Sequence, residues 1–280
     1  MNPQDLVGGM IQVSSAPVIY ARLNEAINSP RASIGYMSEI IGQDAGLSAR
    51  LLRVVNSSFY GFPSKIDTIS RAVIMIGTQQ LRDLALATSV IKFFDNVPDD
   101  IVTMESFWKH SVVCALAART LSTYCKESNV ERFFVSGILH DIGKLIIYSK
   151  LPEKTQEIFR RVRDADEPVW KAENGVLNFD HGNVGAALIK AWHLPSNLEE
   201  VIQYHHSPML ATRYRYEASI IHCADAIAHA MQIGSTGEQA VPPIINEAWE
   251  LLELSTDILP QIFDLIDRQA GDIFDRFLTD

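Results

Sequence analysis

Apolar residues in this chain recur every three to four positions almost from end to end, and almost nowhere do they alternate. A period of 3.6 builds amphipathic helices, whereas half-buried strands need a period of two. The expectation is therefore an all-α fold. Caps and breakers divide the pattern. Helices are expected over Pro17–Asn28, after Ser33 in "SIGYMSEII", and over Leu47–Asn56 behind Asp44. Gly61 and Pro63 force a turn, and Thr68 and Thr78 read as caps of two further helices. The polar run "DNVPDD" (Asp95–Asp100) is the clearest internal boundary. Beyond it come helices over about Ser106–Tyr124, through His140, over Pro152–Asp166, His181–Trp192, Asn197–His205 and Ala218–Met231. "IGSTGEQAVPP" reads as a loop, and helices over Ile244–Leu254 and Ile258–Phe277 close the chain. The implied organisation is an N-terminal helical part (1–100), a central part (101–235) and a C-terminal helical extension (236–280). The acidic, apolar tail has helical spacing, as a packed helix does.

Within the central part, "SGILHDIGKLIIYS" (136–149) poses a chemical problem. At helical spacing Phe134, Ile138, Asp141, Leu145 and Tyr148 form one stripe, so Asp141 faces the interior. Asp225 does the same in "ASIIHCADAIAHA", sharing a face with Ala218, Ile221 and Ala228. Carboxylates are rarely buried unless paired or bound to a cation, and two of them repel each other. A shared divalent ion removes that conflict. Imidazole and carboxylate ligands suit Fe, Mn, Zn or Ni, with Mg as a harder alternative. His110, His140, Asp141 and Asp225 make one ligand set. His181, with His205 or His206, offers a second, so one or two ions are expected. The bland alternative is a metal-free hydrogen-bond network. His193, His222 and His229 have no matching partners and receive no role. Lys144, one turn after His140, is either solvated or placed to meet a substrate phosphate. The stretch "RLLRVVNSSFYG" reads as packing and inter-subdomain contact, with Asn56 and Tyr60 as the residues in it that could shape a cleft.

These residues also carry a family resemblance. The order His110, His140-Asp141, Asp225 resembles the HD superfamily of metal-dependent phosphohydrolases. The longer text, "SGILHDIGKLIIYSKLP", "FDHGNVGAALIKAWHLP", "VIQYHHSP" and "IIHCADAIAH", is closer to the HDOD family, the HD-related output domains of bacterial signalling proteins. "QDAGLSARLLRVVNSSFYGFPSKIDTISRAVIMIGTQQLRDLALA" is similar to that family's opening helices, so the resemblance covers roughly 6–232. It implies an N-terminal helical subdomain packed on an HD-type helical domain. It also implies a regulatory module that keeps every metal-ligand position. Such a site would hydrolyse a phosphoester through a metal-activated water, with Asp141 and Lys144 as catalytic residues and a phosphoester or nucleotide as substrate. The alternative it allows is a non-catalytic output module that binds a signalling protein. Two features depart from the HD-GYP phosphodiesterases: "HHSPML" lacks their Gly-Tyr-Pro segment, and Ser106 stands where they offer a glutamate.

Composition narrows the partners. With 24 basic against 34 acidic residues the net charge is −10, and no Lys/Arg stripe forms, so nucleic acid and anionic membranes are not expected partners. No run approaches the ~18 uncharged apolar residues of a membrane span, and the N-terminus lacks a basic signal region. Cys114, Cys125 and Cys223 have no CxxC spacing and read as buried thiols of a reducing compartment. A bacterial cytoplasmic protein is the expectation.

Overall fold

The computed structural model describes residues 1–8, 16–29, 33–94, 102–238 and 240–278. Among them every regular element is a helix, and no strand occurs. In chain order the helices are α1 (Pro3–Val7), α2 (Ala16–Asn28), α3 (Ile34–Gly42), α4 (Ala45–Val55), α5 (Ile69–Ile76) and α6 (Thr78–Phe93). Then follow α7 (Met104–Tyr124), α8 (Glu131–Leu139), α9 (Ile142–Lys150), α10 (Pro152–Ala165) and α11 (Val169–Leu177). The last are α12 (His181–Ala191), α13 (Ser196–Tyr204), α14 (Arg215–Met231), α15 (Asn246–Leu251) and α16 (Leu259–Phe277). No described helix is long and apolar enough to cross a membrane.

The helices gather into two compact units that are not consecutive in sequence. One comprises Met1–Val13 with Asn96–Asp264, the other Ser14–Asp95 with Leu265–Asp280. The second unit packs α2 on α6, α3 on α5 and α4 on α6, with Leu23, Ile41, Leu51, Leu81 and Leu84 wholly buried. Ser33, Asp44 and Thr68 each cap a helix, accepting from the backbone N–H three residues on. Asn56 fixes the loop after α4: its amide donates to the Ile66 carbonyl and accepts from the Ile66 N–H, both at 2.7 Å. The tail is a packed helix. Ile266, Ala270 and Ile273 are buried, Asp272 accepts from the Ser58 N–H, and Arg276 donates to the Arg53 carbonyl.

The first unit is built around α7, which is buried on nearly every face and packs against α8 and α14. Residues that a surface helix would leave polar are here Ala, Val and Leu, so α7 reads as a core helix.

Two expectations need correction, and one helix was not foreseen. Thr78 is not a cap. Gly77 occupies the cap position at φ +94° and Thr78 is the first helical residue, because a turn this tight between α5 and α6 needs the left-handed region. The helix through His140 is not continuous. α8 ends at Leu139 and α9 begins at Ile142, with Asp141 at φ −97° and ψ 5°. Helix α11 was not foreseen, although Val169, Ala172, Val176 and Leu177 fall at helical spacing in "VWKAENGVL" and the helix buries Val169, Ala172 and Glu173. The boundary at Asp95–Asp100 lies outside the described residues.

Candidate metal centre

The break between α8 and α9 places the histidine–aspartate pair. Two glycines set it. A Cβ on Gly137 would fall 2.5 Å from the Ala115 Cα, so α8 lies directly on α7. A Cβ on Gly143 would fall 2.0 Å from the His181 carbonyl oxygen, so α9 lies directly on the start of α12. Each half-helix is thus drawn to a different neighbour, and the two residues between them face the junction. His140 and Asp141 are 0% and 1% exposed.

Around Asp225, from α14, three imidazoles converge on one oxygen. The Nε2 atoms of His110, His140 and His229 lie 3.1, 3.4 and 3.2 Å from Oδ1. Around Asp141 the second cluster forms. Its Oδ1 lies 3.0 Å from His181 Nε2 and 3.8 Å from His205 Nε2, and its Oδ2 is 3.5 Å from His140 Nε2. The Nε2 atoms of His205 and His206 stand 3.3 and 2.8 Å from that of His181. Two groups therefore have ligand atoms close enough to hold an ion: Asp141, His181, His205 and His206, and His110, His140 and Asp225. All seven predicted ligands come together, with both His205 and His206 in the cluster.

Ring orientation is fixed from behind. His140 Nδ1 donates to the Gly137 carbonyl, His205 Nδ1 to the Ile202 carbonyl, and His181 Nδ1 to the Glu173 carboxylate, at 2.7, 2.7 and 2.6 Å. An imidazole that spends its Nδ1–H this way turns Nε2 inward as the free ligand atom. His140 Nε2 and Asp141 Oδ1 lie 3.4 Å from Asp225 Oδ1 and 3.0 Å from His181 Nε2, in contacts that lack the alignment of a full hydrogen bond. Inward lone pairs this close repel unless a proton or a metal ion sits among them.

Charges follow the same logic. Burial pulls His205 down to about 3 and His110 to about 4, leaving both neutral. Burial also opposes protonation of His181, yet the Glu173 and Asp141 carboxylates outweigh it and raise it to about 9. Burial disfavours the Asp141 carboxylate, but Lys144, His140 and His181 hold it well below the usual range. In the metal-free chain, protons and one ammonium balance the buried acids.

Lys144 is not solvated. It is 1% exposed and donates to Asp141 Oδ2 at 2.8 Å and to Thr236 Oγ1 at 3.0 Å. Sequence reasoning missed Glu173, Thr236 and His229. His229 left a signal, being one turn after Asp225 on the same helix. Glu173 left one too, a carboxylate on the stripe of Val169, Ala172, Val176 and Leu177, whereas Thr236, in a loop, left none. His222 is structural, donating from Nδ1 to the His205 carbonyl and accepting the Ile245 N–H at Nε2. His193 is exposed beyond α12.

Comparison with known proteins agrees with this architecture. The family model for the HDOD domain matches residues 13–208. An uncharacterized protein of Treponema pallidum is 22% identical over 232 residues, 82% of this chain, and the chain spans only 44% of that relative's length. The crystal structure of an HDOD domain protein from Geobacter sulfurreducens superposes with a TM-score of 0.79 at 22% identity, covering 98% of both chains. A candidate phosphohydrolase from Shewanella amazonensis gives a TM-score of 0.72 at 25% identity, covering 95% of this chain and 99% of its own.

Proposed function

This chain belongs to the HDOD domain family, and from that premise we propose that it is a bacterial signalling protein whose buried cluster holds two divalent ions and hydrolyses a phosphoester. One observation carries the reading. Three histidines have their Nδ1 atoms committed to backbone or carboxylate acceptors, so their Nε2 atoms converge on Asp141 and Asp225 as ligand atoms. His110, His140 and Asp225 would hold one ion and His181, His205 and His206 the other, with Asp141 between them. Ions bound there would polarise a phosphoryl oxygen and lower the pKa of a water. Asp141 shares its charge between the two clusters. Lys144 keeps Asp141 ionised and supplies positive charge beside the phosphate. Glu173 orients His181, as carboxylates behind ligating histidines commonly do.

A second reading has its own support. Every ligand except His206 is almost fully buried, which suits a non-catalytic output module stabilised by its centre and docking a signalling protein elsewhere. Elemental analysis of the purified chain, followed by a phosphoester panel, separates the readings. Two divalent ions per chain with turnover that Asp141→Asn abolishes supports the hydrolase. Bound metal without turnover supports the module. A chain that takes up no divalent ion after reconstitution refutes the metal centre.

A further inference from the structure

Apart from the histidine cluster, the first unit contains a cavity of about 710 Å³, within the roughly 300–1,000 Å³ usual for small-molecule sites. Its walls are the start of α7, the middle of α10 and the segment Ser235–Glu238. Arg160 and Arg163 stand one turn apart on the exposed face of α10 and line one side. Arg160 has no ion pair among the described residues, and the carboxylate beside Arg163 is its chain neighbour Asp164, 3.5 Å away. Glu238 is the one acid lining the cavity among the described residues. Its two oxygens accept from the Val169 N–H at 3.0 and 3.1 Å, which turns the carboxylate toward the start of α11. The remaining polar groups, on Thr103, Ser106, Gln156 and Ser235, are neutral. The balance is positive.

The wall between this cavity and the buried centre is pinned in place. Gly234 has φ +72°, and a Cβ there would fall 2.3 Å from the Ser106 carbonyl oxygen, which accepts from the Ser235 N–H at 3.1 Å. Thr236 points inward, accepting from Lys144 at its hydroxyl and from the Tyr148 hydroxyl at its carbonyl, 2.8 Å. A wall held on both sides keeps the cavity open before any ligand arrives.

We propose that this cavity binds a phosphate-bearing small molecule, with its phosphates on Arg160 and Arg163 and the rest of it against the Phe159 ring. Two guanidinium groups one turn apart match the oxygens of a pyrophosphate, which they can bind through forked hydrogen bonds. Phe159 lines the same cavity, its ring centroid 5.6 Å from that of Tyr148, and offers an apolar surface to a nucleobase. A ligand there sits on the outer side of the segment whose Thr236 touches Lys144, beside the metal centre and distinct from it.

Calorimetric titration of the full chain, stripped of metal by a chelator, tests this with three probes: inorganic pyrophosphate, ADP and adenosine. Because the chain is metal-free, a failure here leaves the metal reading untouched, and the reverse also holds. Pyrophosphate and ADP should saturate one site per chain, and adenosine should not bind. Tighter binding of ADP than of pyrophosphate identifies a nucleotide, and equal binding identifies the phosphate group alone. The Arg160→Ala/Arg163→Ala double variant, at exposed positions, should weaken both at least about tenfold. Lys154→Ala, on the same helix but outside the cavity, should match wild type. Absence of saturable binding by either phosphate probe, unchanged affinity in the double variant, or adenosine binding as tightly as ADP would each overturn the proposal.

Discussion

At the scale of single residues, the centre depends on groups that no ion would touch. Glu173 is wholly buried and accepts from both the N–H and Nδ1 of His181. Glu173→Gln keeps the shape, removes the charge and lets the ring turn. Divalent-ion affinity, read by titrating the metal-free chain, should fall about 10–100-fold, the usual effect of losing such a support. An unchanged affinity would mean that His181 is not a ligand. Lys144 poses the complementary case, an ammonium buried against Asp141 at 2.8 Å. Removing one partner of a buried pair leaves an uncompensated charge and costs about 3–5 kcal/mol. Lys144→Met should therefore destabilise the metal-free chain by that order in urea. Saturating metal should recover part of the loss, because the ion takes over the neutralisation of Asp141.

At the scale of elements, the glycines separate close helix contacts from idle flexibility. Gly143 has no room for a methyl group, since the nearest atoms are backbone of α12. Gly271, within α16, has nothing within 4 Å of an added Cβ. Gly271→Ala should stabilise by about 0.5–1 kcal/mol through helix propensity alone. Gly143→Ala should cost several-fold more in the opposite direction, because the helices must part or the backbone must shift. Urea midpoints of the two variants give the comparison. Equal, favourable effects would show that α9 does not press on α12. The same contact sets the α8–α9 break, so Gly143→Ala should also weaken metal uptake while Gly271→Ala leaves it unchanged.

At the scale of the whole molecule, an ion held by the cluster would be linked to stability. An ion that binds only the folded chain adds about 2.7 kcal/mol at a hundredfold excess over its Kd. Chelation should therefore lower the melting temperature of the wild type. Asp141→Asn should have a metal affinity lower by orders of magnitude and should melt alike with and without chelator. A wild type indifferent to chelation would leave a metal-free hydrogen-bond network as the account of the cluster. With a net charge of −10 and no basic stripe, the chain is expected to show no measurable duplex DNA binding at physiological salt. A sub-micromolar, salt-sensitive complex in a fluorescence titration would contradict that.

The sequence alone determined the helical class, because the 3.6 period follows from burying one face of each helix and is written locally. It also marked Asp141 and Asp225, because a carboxylate on an apolar stripe contradicts its surroundings wherever the chain goes, and it offered His110, His140, His181, His205 and His206 as the imidazoles able to join them. It named Ser33, Asp44 and Thr68 as caps for the same local reason. Tertiary structure decided what depends on distance across the chain. The α8–α9 break arises from contacts of Gly137 with Ala115 and of Gly143 with His181, neither of which leaves a periodic trace. The pairing of Glu173 with His181 and of Thr236 with Lys144 joins residues on different elements, and nothing local to either residue names its partner. The direction of each imidazole nitrogen was equally invisible, since it is set by a hydrogen bond on the far side of the ring. Sequence shows which groups must be satisfied; only packing decides which partner satisfies them.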